Sequence, residues 1–185
     1  MKKVLVLLTL FIMIFLPIKV KAENKVTVYM FRGYDCPHCE AALDYFYKNK
    51  DRIPKNVEIE TFEVWKNDNN SKLQDFVAER LGIDTEDDNY GIPFFVVGEN
   101  YQIGFNSNKS EEGFQKILAM AEENLKNEGY KDVIEEVLES HSLNIEKKSL
   151  EELMGGPSIW VTITIYAVFG LMLVGLIALM FFSRK

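Results

Sequence analysis

Two cysteines separated by two residues are the part of this sequence best suited to chemistry. The motif Cys36-Pro37-His38-Cys39 follows Lys25–Arg32, whose β-branched and aromatic residues predict a strand, and it begins a segment that predicts a helix. A thiol exchanges disulfides as the thiolate, and the unpaired N–H groups of a helix N-terminus stabilise an anion. Two residues between the cysteines place both sulfurs on one helical turn. The spacing therefore predicts a redox-active pair, with Cys36 as the more exposed nucleophile and Cys39 as the resolving thiol.

Three other interpretations of the two cysteines stay open from the sequence. A purely structural disulfide between them would stabilise the fold little, because the loop that it closes is very short. Metal binding would need further ligands, and the whole chain holds only two cysteines and two histidines. The third interpretation is a chance pair of unreactive thiols.

The elements that would position the motif alternate between strands and helices. Polar breaks, glycines and prolines separate them, and the first two strands are expected to be parallel because a helix connects them. The pattern predicts an α/β fold with a mixed sheet and helices on both faces. The further predicted strands are Val57–Trp65, Pro93–Val97 and Tyr101–Phe105, and the further helices are Ser71–Leu81, Ser110–Asn127 and Lys131–Ser140.

The chain resembles the thioredoxin superfamily over about residues 25–127. The resemblance depends on the CPHC motif after a strand and on Ile92-Pro93 at the head of the PFFVVG strand. It implies a thioredoxin-like fold with an extra C-terminal helix, a cis-proline at Pro93 beside the disulfide, and substrate pairing by the backbone of Ile92. Tyr34, in the turn before the motif, is expected to contact substrate as well. Neither the fold nor the chemistry implies a bound cofactor or metal.

The dipeptide Pro37-His38 resembles that of the disulfide-bond-forming (Dsb-type) oxidases. His38 could stabilise the Cys36 thiolate, which would make the disulfide more oxidising. Two neighbours oppose this effect. Asp35 stands where many thioredoxins have tryptophan and would raise the thiol pKa unless it caps the helix, and Glu40 adds a second negative charge.

Two further features depart from the family. In the family, a buried acid relays protons to the resolving cysteine, and Met30 occupies its place here. Glu60 or Glu63 on the second strand could take over this role. Alternatively, Glu60 and Glu63 belong to a solvated face of the sheet. Residues 66–92 leave little room for the inserted helical domain of the Dsb-type oxidases. A deep peptide groove is therefore not expected.

The two ends of the chain predict its location. Residues 1–22 have the basic start, apolar run and small residues of a secretory signal, and residues 159–182 are uncharged and long enough to span a bilayer. The basic tail 183–185 is expected to stay in the cytoplasm, with a thioredoxin-like domain over 23–142 and a juxtamembrane linker over 143–158 outside. The composition suggests a bacterial cell membrane, where an exported domain meets conditions that permit disulfides.

The exported segment is strongly acidic. Residues 23–158 hold 15 basic and 28 acidic residues, a net charge of −13. Such a charge disfavours binding to nucleic acids and to anionic membrane surfaces.

Three functions are consistent with these observations. The first is an anchored oxidase that gives its disulfide to the thiols of secreted or cell-envelope proteins. The second is a reductase that receives electrons from a membrane redox partner. The third is a non-catalytic binding module that has the same fold.

Overall fold

A computed structural model describes residues 24–127, 129–155 and 163–172 of the chain. The first strand, β1 (Val26–Arg32), lies at the centre of a five-stranded sheet whose order is β4-β3-β1-β2-β5. The other strands are β2 (Val57–Glu63), β3 (Phe94–Val97), β4 (Asn100–Ile103) and β5 (Lys147–Ser149). β1 pairs with β2 in parallel and every other pairing is antiparallel, so the sheet is mixed as predicted.

Helices cover both faces of this sheet. The helices are α1 (Pro37–Lys48), α2 (Asp68–Arg80), α3 (Ser110–Lys126), α4 (Val133–Ser140) and the short α5 (Leu150–Leu153). One hydrophobic core joins α1 and α3 to one face, and a second core joins α2 and α4 to the other. Because both faces are covered, β1 and β3 are almost entirely buried, as expected for central strands rich in β-branched and aromatic residues.

The start of α1 is fixed by its own sequence. Pro37 occupies the first helical turn, where its missing N–H is not needed, and Cys36 is the N-cap. Buried residues on one side of the helix, including Ala42, Leu43 and Phe46, hold it against the sheet. These contacts fix the CPHC motif at the carboxyl end of β1.

The segment predicted as a juxtamembrane linker, residues 143–158, contributes to the fold. Lys147–Ser149 pairs with β2 as β5, and Leu150, with 2% of its surface exposed, belongs to the core shared with α1. Ser149 and Glu152 form a reciprocal capping box that begins α5. The described part of this segment is therefore part of the domain rather than a connection to it.

The predicted signal, residues 1–22, lies outside the described residues, as do 159–162 and 173–182 of the predicted membrane span. Residues 163–172 are helical. Among the residues that the structure describes, no helix has both the length and the apolar character that crossing a membrane requires.

Candidate active site

Cys36 and Cys39 form a disulfide in the first turn of α1. Their Cα atoms are 5.2 Å apart. The backbone N–H of Cys39 donates a hydrogen bond to Cys36 Sγ at 3.3 Å. The same N–H would stabilise a thiolate at Cys36 after reduction, because it is one of the orphan donors of the helix N-terminus.

Both cysteines are buried, and Cys36 is the more exposed of the two, as predicted. Cys36 has 4% of its surface exposed and Cys39 has 1%. Cys36 is still the more accessible of the two, but only an edge of its side chain faces solvent. A reacting thiol must therefore approach along a defined direction.

The surroundings of the disulfide are apolar on the side of the core. Met30 and Phe95 belong to the same buried cluster as the two cysteines. Met30, 1% exposed, occupies the place of the acid that the family resemblance implies. Apolar burial disfavours a thiolate, so the helix N-terminus must supply the compensating stabilisation.

The two acidic residues considered as replacements for that acid have other partners. Glu60 forms an ion pair with Lys147 at 2.7 Å. The Glu63 carboxylate accepts hydrogen bonds from the backbone N–H groups of Tyr34, Trp65 and Lys66 at 3.1, 2.9 and 2.9 Å. Glu63 is therefore engaged in holding two loops together at the ends of β1 and β2.

The turn between β1 and Cys36 is shaped by close contacts. Asp35 has a left-handed backbone with φ +57°, and Cys36 rather than Asp35 caps α1. The alternative of an Asp35 cap is therefore wrong. Gly33 lies directly under the indole of Trp65, so a Cβ at this position would overlap the ring. The ammonium of Lys66 lies 3.1 Å from the centre of the Tyr34 ring.

A cleft of about 640 Å³ opens beside the disulfide, and we call it the His38 cleft. It brings together three of the predicted site residues, His38, Ile92 and Pro93, and the Ile92-Pro93 bond is cis as expected. The other wall comes from β4, the following loop and the start of α3. That wall consists of Gln102, Ile103, Gly104, Phe105, Asn106, Ser107, Asn108, Lys109, Glu112, Gly113 and Lys116.

A second cleft, of about 580 Å³, lies on the Pro37 side of the motif, and we call it the Glu40 cleft. Its charged residues are three carboxylates and one arginine, and α5 closes it with Leu153 and Met154. It is lined by Arg32, Tyr34, Asp35, Pro37, Glu40, Ala41, Leu43, Asp44, Leu153 and Met154. Burial lowers the pKa of Arg32, against the opposing effect of Glu63.

Comparisons of the chain with protein-family models, curated proteins and solved structures found no match. Within the described residues, no group of three or more His, Cys, Asp or Glu side chains could hold a metal ion.

The structure divides the predicted site residues between the two clefts. His38, Ile92 and Pro93 line one, while Pro37 and Tyr34 line the other. The two cysteines lie at the start of the helix between them.

Several residues that shape the site were not predicted, notably Lys109 and Lys116. A signal for Lys116 exists in its spacing of three residues from Gly113, which places both on one stripe beside the buried stripe of α3, while Lys109 is the N-cap of this helix. Gly113 within an otherwise regular helix also indicates close approach of another group, here the ring of Phe105.

Proposed function

We propose that this protein is a thiol-disulfide oxidoreductase that transfers its Cys36–Cys39 disulfide to the thiols of exported proteins. One observation carries the proposal: the disulfide lies at the N-terminus of a helix, where the Cys39 N–H contacts Cys36 Sγ, and a cleft opens beside it. A helix N-terminus lowers the free energy of a thiolate relative to the thiol. A disulfide that gains a stabilised thiolate on reduction is a better oxidant.

The proposed reaction is a pair of exchange steps at sulfur. A substrate thiolate attacks Cys36 Sγ, forming a substrate–Cys36 disulfide and releasing Cys39 as a thiolate, which takes up a proton. A second substrate thiolate then attacks the substrate sulfur of that mixed disulfide and releases Cys36. The substrate loses two electrons and two protons, and the protein is left as a dithiol. A protein disulfide of a membrane redox partner would reoxidise it by the reverse exchange.

A thioredoxin-like fold is part of this proposal. Its support is the order and direction of β1 to β4, the position of CPHC between β1 and α1, and the position of Ile92-Pro93 before β3. Within residues 24–127 and 129–155, the backbone N–H and carbonyl of Ile92 make no hydrogen bond. Both groups are therefore free to pair with an extended substrate segment in the His38 cleft.

Anchoring to a membrane is likewise proposed. The residues of the helix 163–172 are uncharged, and all of them are exposed. Exposed apolar side chains along a helix are what lipid contact would require. The uncharged run 159–182 and the basic residues that follow it support the same topology.

A reductase is the second candidate, and the Glu40 cleft favours it. Asp35, Glu40 and Asp44 place negative charge on one side of the motif. Negative charge near Cys36 disfavours the thiolate and would move the couple toward the reducing end of the range.

The deciding experiment measures the reduction potential of the pair in full-length protein in detergent, by equilibration with thiol redox buffers. We expect a value well above about −270 mV, toward about −120 mV, if the protein is an oxidase. A value near about −270 mV would select the reductase.

Cysteine variants test the mechanism itself. Cys36→Ser should abolish exchange with a reduced, unfolded protein, while Cys39→Ser should accumulate mixed disulfides through Cys36. The double serine variant is the control for non-covalent binding. If it retains the full biological activity of the protein, the chain is a binding module and the proposal is wrong.

A further inference from the structure

We propose that the His38 cleft selects substrates that carry an acidic side chain near the reacting cysteine, with Lys116 as its main contact and Lys109 as the second. This inference rests on the proposed exchange function and specifies its substrate class. It concerns the wall of the cleft that faces the disulfide, not the cysteines themselves.

The position of the lysines relative to the motif is the first observation. His38, next to Cys39, and Pro93 form the end of the cleft at the disulfide, and Lys109 and Lys116 lie in the wall formed by the start of α3. The volume of about 640 Å³ is within the usual range for ligand-binding clefts, about 300–1,000 Å³. A segment that fills this cleft therefore lies close both to His38 and to the two lysines.

The second observation is the absence of a side chain at Gly113, next to Lys116. Gly113 lies three residues before Lys116 on α3, so these two positions are neighbours on the helix surface, and Lys109 is the N-cap residue before the helix begins. Gly113 adds no side chain, and its backbone lies against the ring of Phe105, where a Cβ would come to 3.0 Å. The surface beside Lys116 is therefore open to a substrate side chain.

The third observation concerns the charge that is left unpaired. Lys109 forms an ion pair with Glu112 at 3.3 Å. Within the part of the chain that the structure describes, no salt bridge involves Lys116. The cleft thus combines two lysines with one glutamate, in a segment whose net charge is −13.

The charge of the Glu40 cleft is opposite in sign to that of the His38 cleft, and this difference would orient a substrate. Its three carboxylates, on Asp35, Glu40 and Asp44, face a single arginine. An acidic substrate segment would be repelled there and attracted to the His38 cleft. Since the two clefts lie on opposite sides of the motif, this difference in charge sets which way the segment crosses Cys36.

The neutral lining offers both polar and apolar contacts. Asn106, Ser107 and Asn108 offer amide and hydroxyl groups, and Gln102 lies beside them. The apolar part of the lining consists of Ile92, Pro93, Ile103 and Phe105. The neutral residues therefore accept a mixed segment, and the preference for an acidic side chain comes from the lysines.

The test uses three dithiol peptides that differ only at the residue after the reacting cysteine, which is Glu, Gln or Lys. The second-order rate of exchange with oxidised full-length protein in detergent is measured for each. Each rate is divided by the rate of the same peptide with 2-hydroxyethyl disulfide, an uncharged reference that removes the effect of the peptide's own charge on its thiol. The variants are Lys116→Gln and Lys116→Glu, and Lys72→Glu is the matched control on α2, across the sheet.

We expect the Glu peptide to react about two- to fivefold faster than the Gln peptide, the range of an exposed ion pair, and the Lys peptide to react more slowly. The preference should fall strongly in Lys116→Gln, invert in Lys116→Glu, persist in Lys72→Glu and weaken in high salt. Lys109→Gln should reduce it in part.

Equal normalised rates for the three peptides would overturn this inference and leave the exchange function intact. An equal change of preference in Lys72→Glu and Lys116→Glu would also overturn it, because the preference would then reflect net charge alone. Absence of exchange with every peptide, by wild type, would overturn the proposed function and the inference with it.

Discussion

Removal of the negative charge of Glu63 should loosen the turn that leads into the CPHC motif. The Glu63 carboxylate accepts three backbone N–H groups: Oε1 accepts those of Tyr34 and Trp65, and Oε2 accepts that of Lys66. In Glu63→Gln, one carboxylate oxygen becomes an uncharged amide oxygen and the other is replaced by an NH2 group. The amide oxygen can still accept the two N–H groups that Oε1 accepts, but the NH2 group cannot accept the third. A hydrogen bond to a charged group contributes about 1.5–3 kcal/mol to stability, and we expect a total loss of about 2 kcal/mol.

Urea unfolding followed by circular dichroism measures this loss, and amide hydrogen exchange locates it. Protection of the Tyr34, Trp65 and Lys66 amides should fall more than that of the β1 amides. Glu58→Gln is the matched control, because Glu58 lies on the same strand and, among the residues that the structure describes, pairs only with the exposed Lys25 at 2.6 Å. If Glu63→Gln destabilises no more than Glu58→Gln, the carboxylate does not hold the turn and our account of it is wrong.

Three further predictions concern the framework around the site. Leu150→Ala should cost about 2–5 kcal/mol in urea unfolding, because this side chain is 2% exposed, and a cost below about 1 kcal/mol would show that α5 is not part of the core. The pKa of Glu111 is lowered from 4.5 to about 2, and the largest cause is the side-chain hydrogen bond with Arg52. The Glu111 contribution to stability should thus be present above about pH 4.5 and be lost as the pH falls toward 2. The stability difference between wild type and Glu111→Gln should shrink over that pH range; a constant difference would contradict it. Gly98→Ala should destabilise the domain in thermal unfolding, because Gly98 has φ +60° and a Cβ there would overlap the Asn124 side chain; an unchanged midpoint would contradict this.

The α/β order was predictable wherever local pattern and tertiary packing agree. β1 is a run of β-branched and aromatic residues that the sheet buries on both faces. Pro37 at the start of α1 and the positive φ of Gly82 after α2 follow local rules that need no long-range contact. For these elements the predicted and observed boundaries differ by a few residues at most.

The start of α2 and the whole of β5 were not predictable, because long-range contacts decide them. The polar run at Asn67 looks like a break, but Asn67 caps the helix, and Asn70 is 1% exposed and donates to the carbonyls of Glu63 and Glu146. Lys147–Ser149 has little strand propensity, and only pairing with the edge of β2 makes it a strand.

The disulfide of the candidate site was predictable from the sequence, but the walls of the clefts beside it were not. The spacing of CPHC predicts a disulfide on one helical turn, and the structure has it. The burial of Cys36 depends on the packing of α1 against β1 and β3, which no local pattern reveals. The position of Lys116 in the cleft depends on where α3 crosses the sheet.

The packing of α5 beside the motif limits how far the site can stand from a membrane. Met154 lines the Glu40 cleft, and Ile159, where the proposed span begins, is five positions further along the chain. At about 3.3–3.6 Å per residue, that stretch reaches at most about 18 Å. If 159–182 spans the bilayer, the Glu40 cleft is tethered within about 2 nm of the lipid surface. Under the proposed function, a membrane redox partner would then approach the disulfide from the Glu40 cleft, and exported substrates would approach it from the His38 cleft.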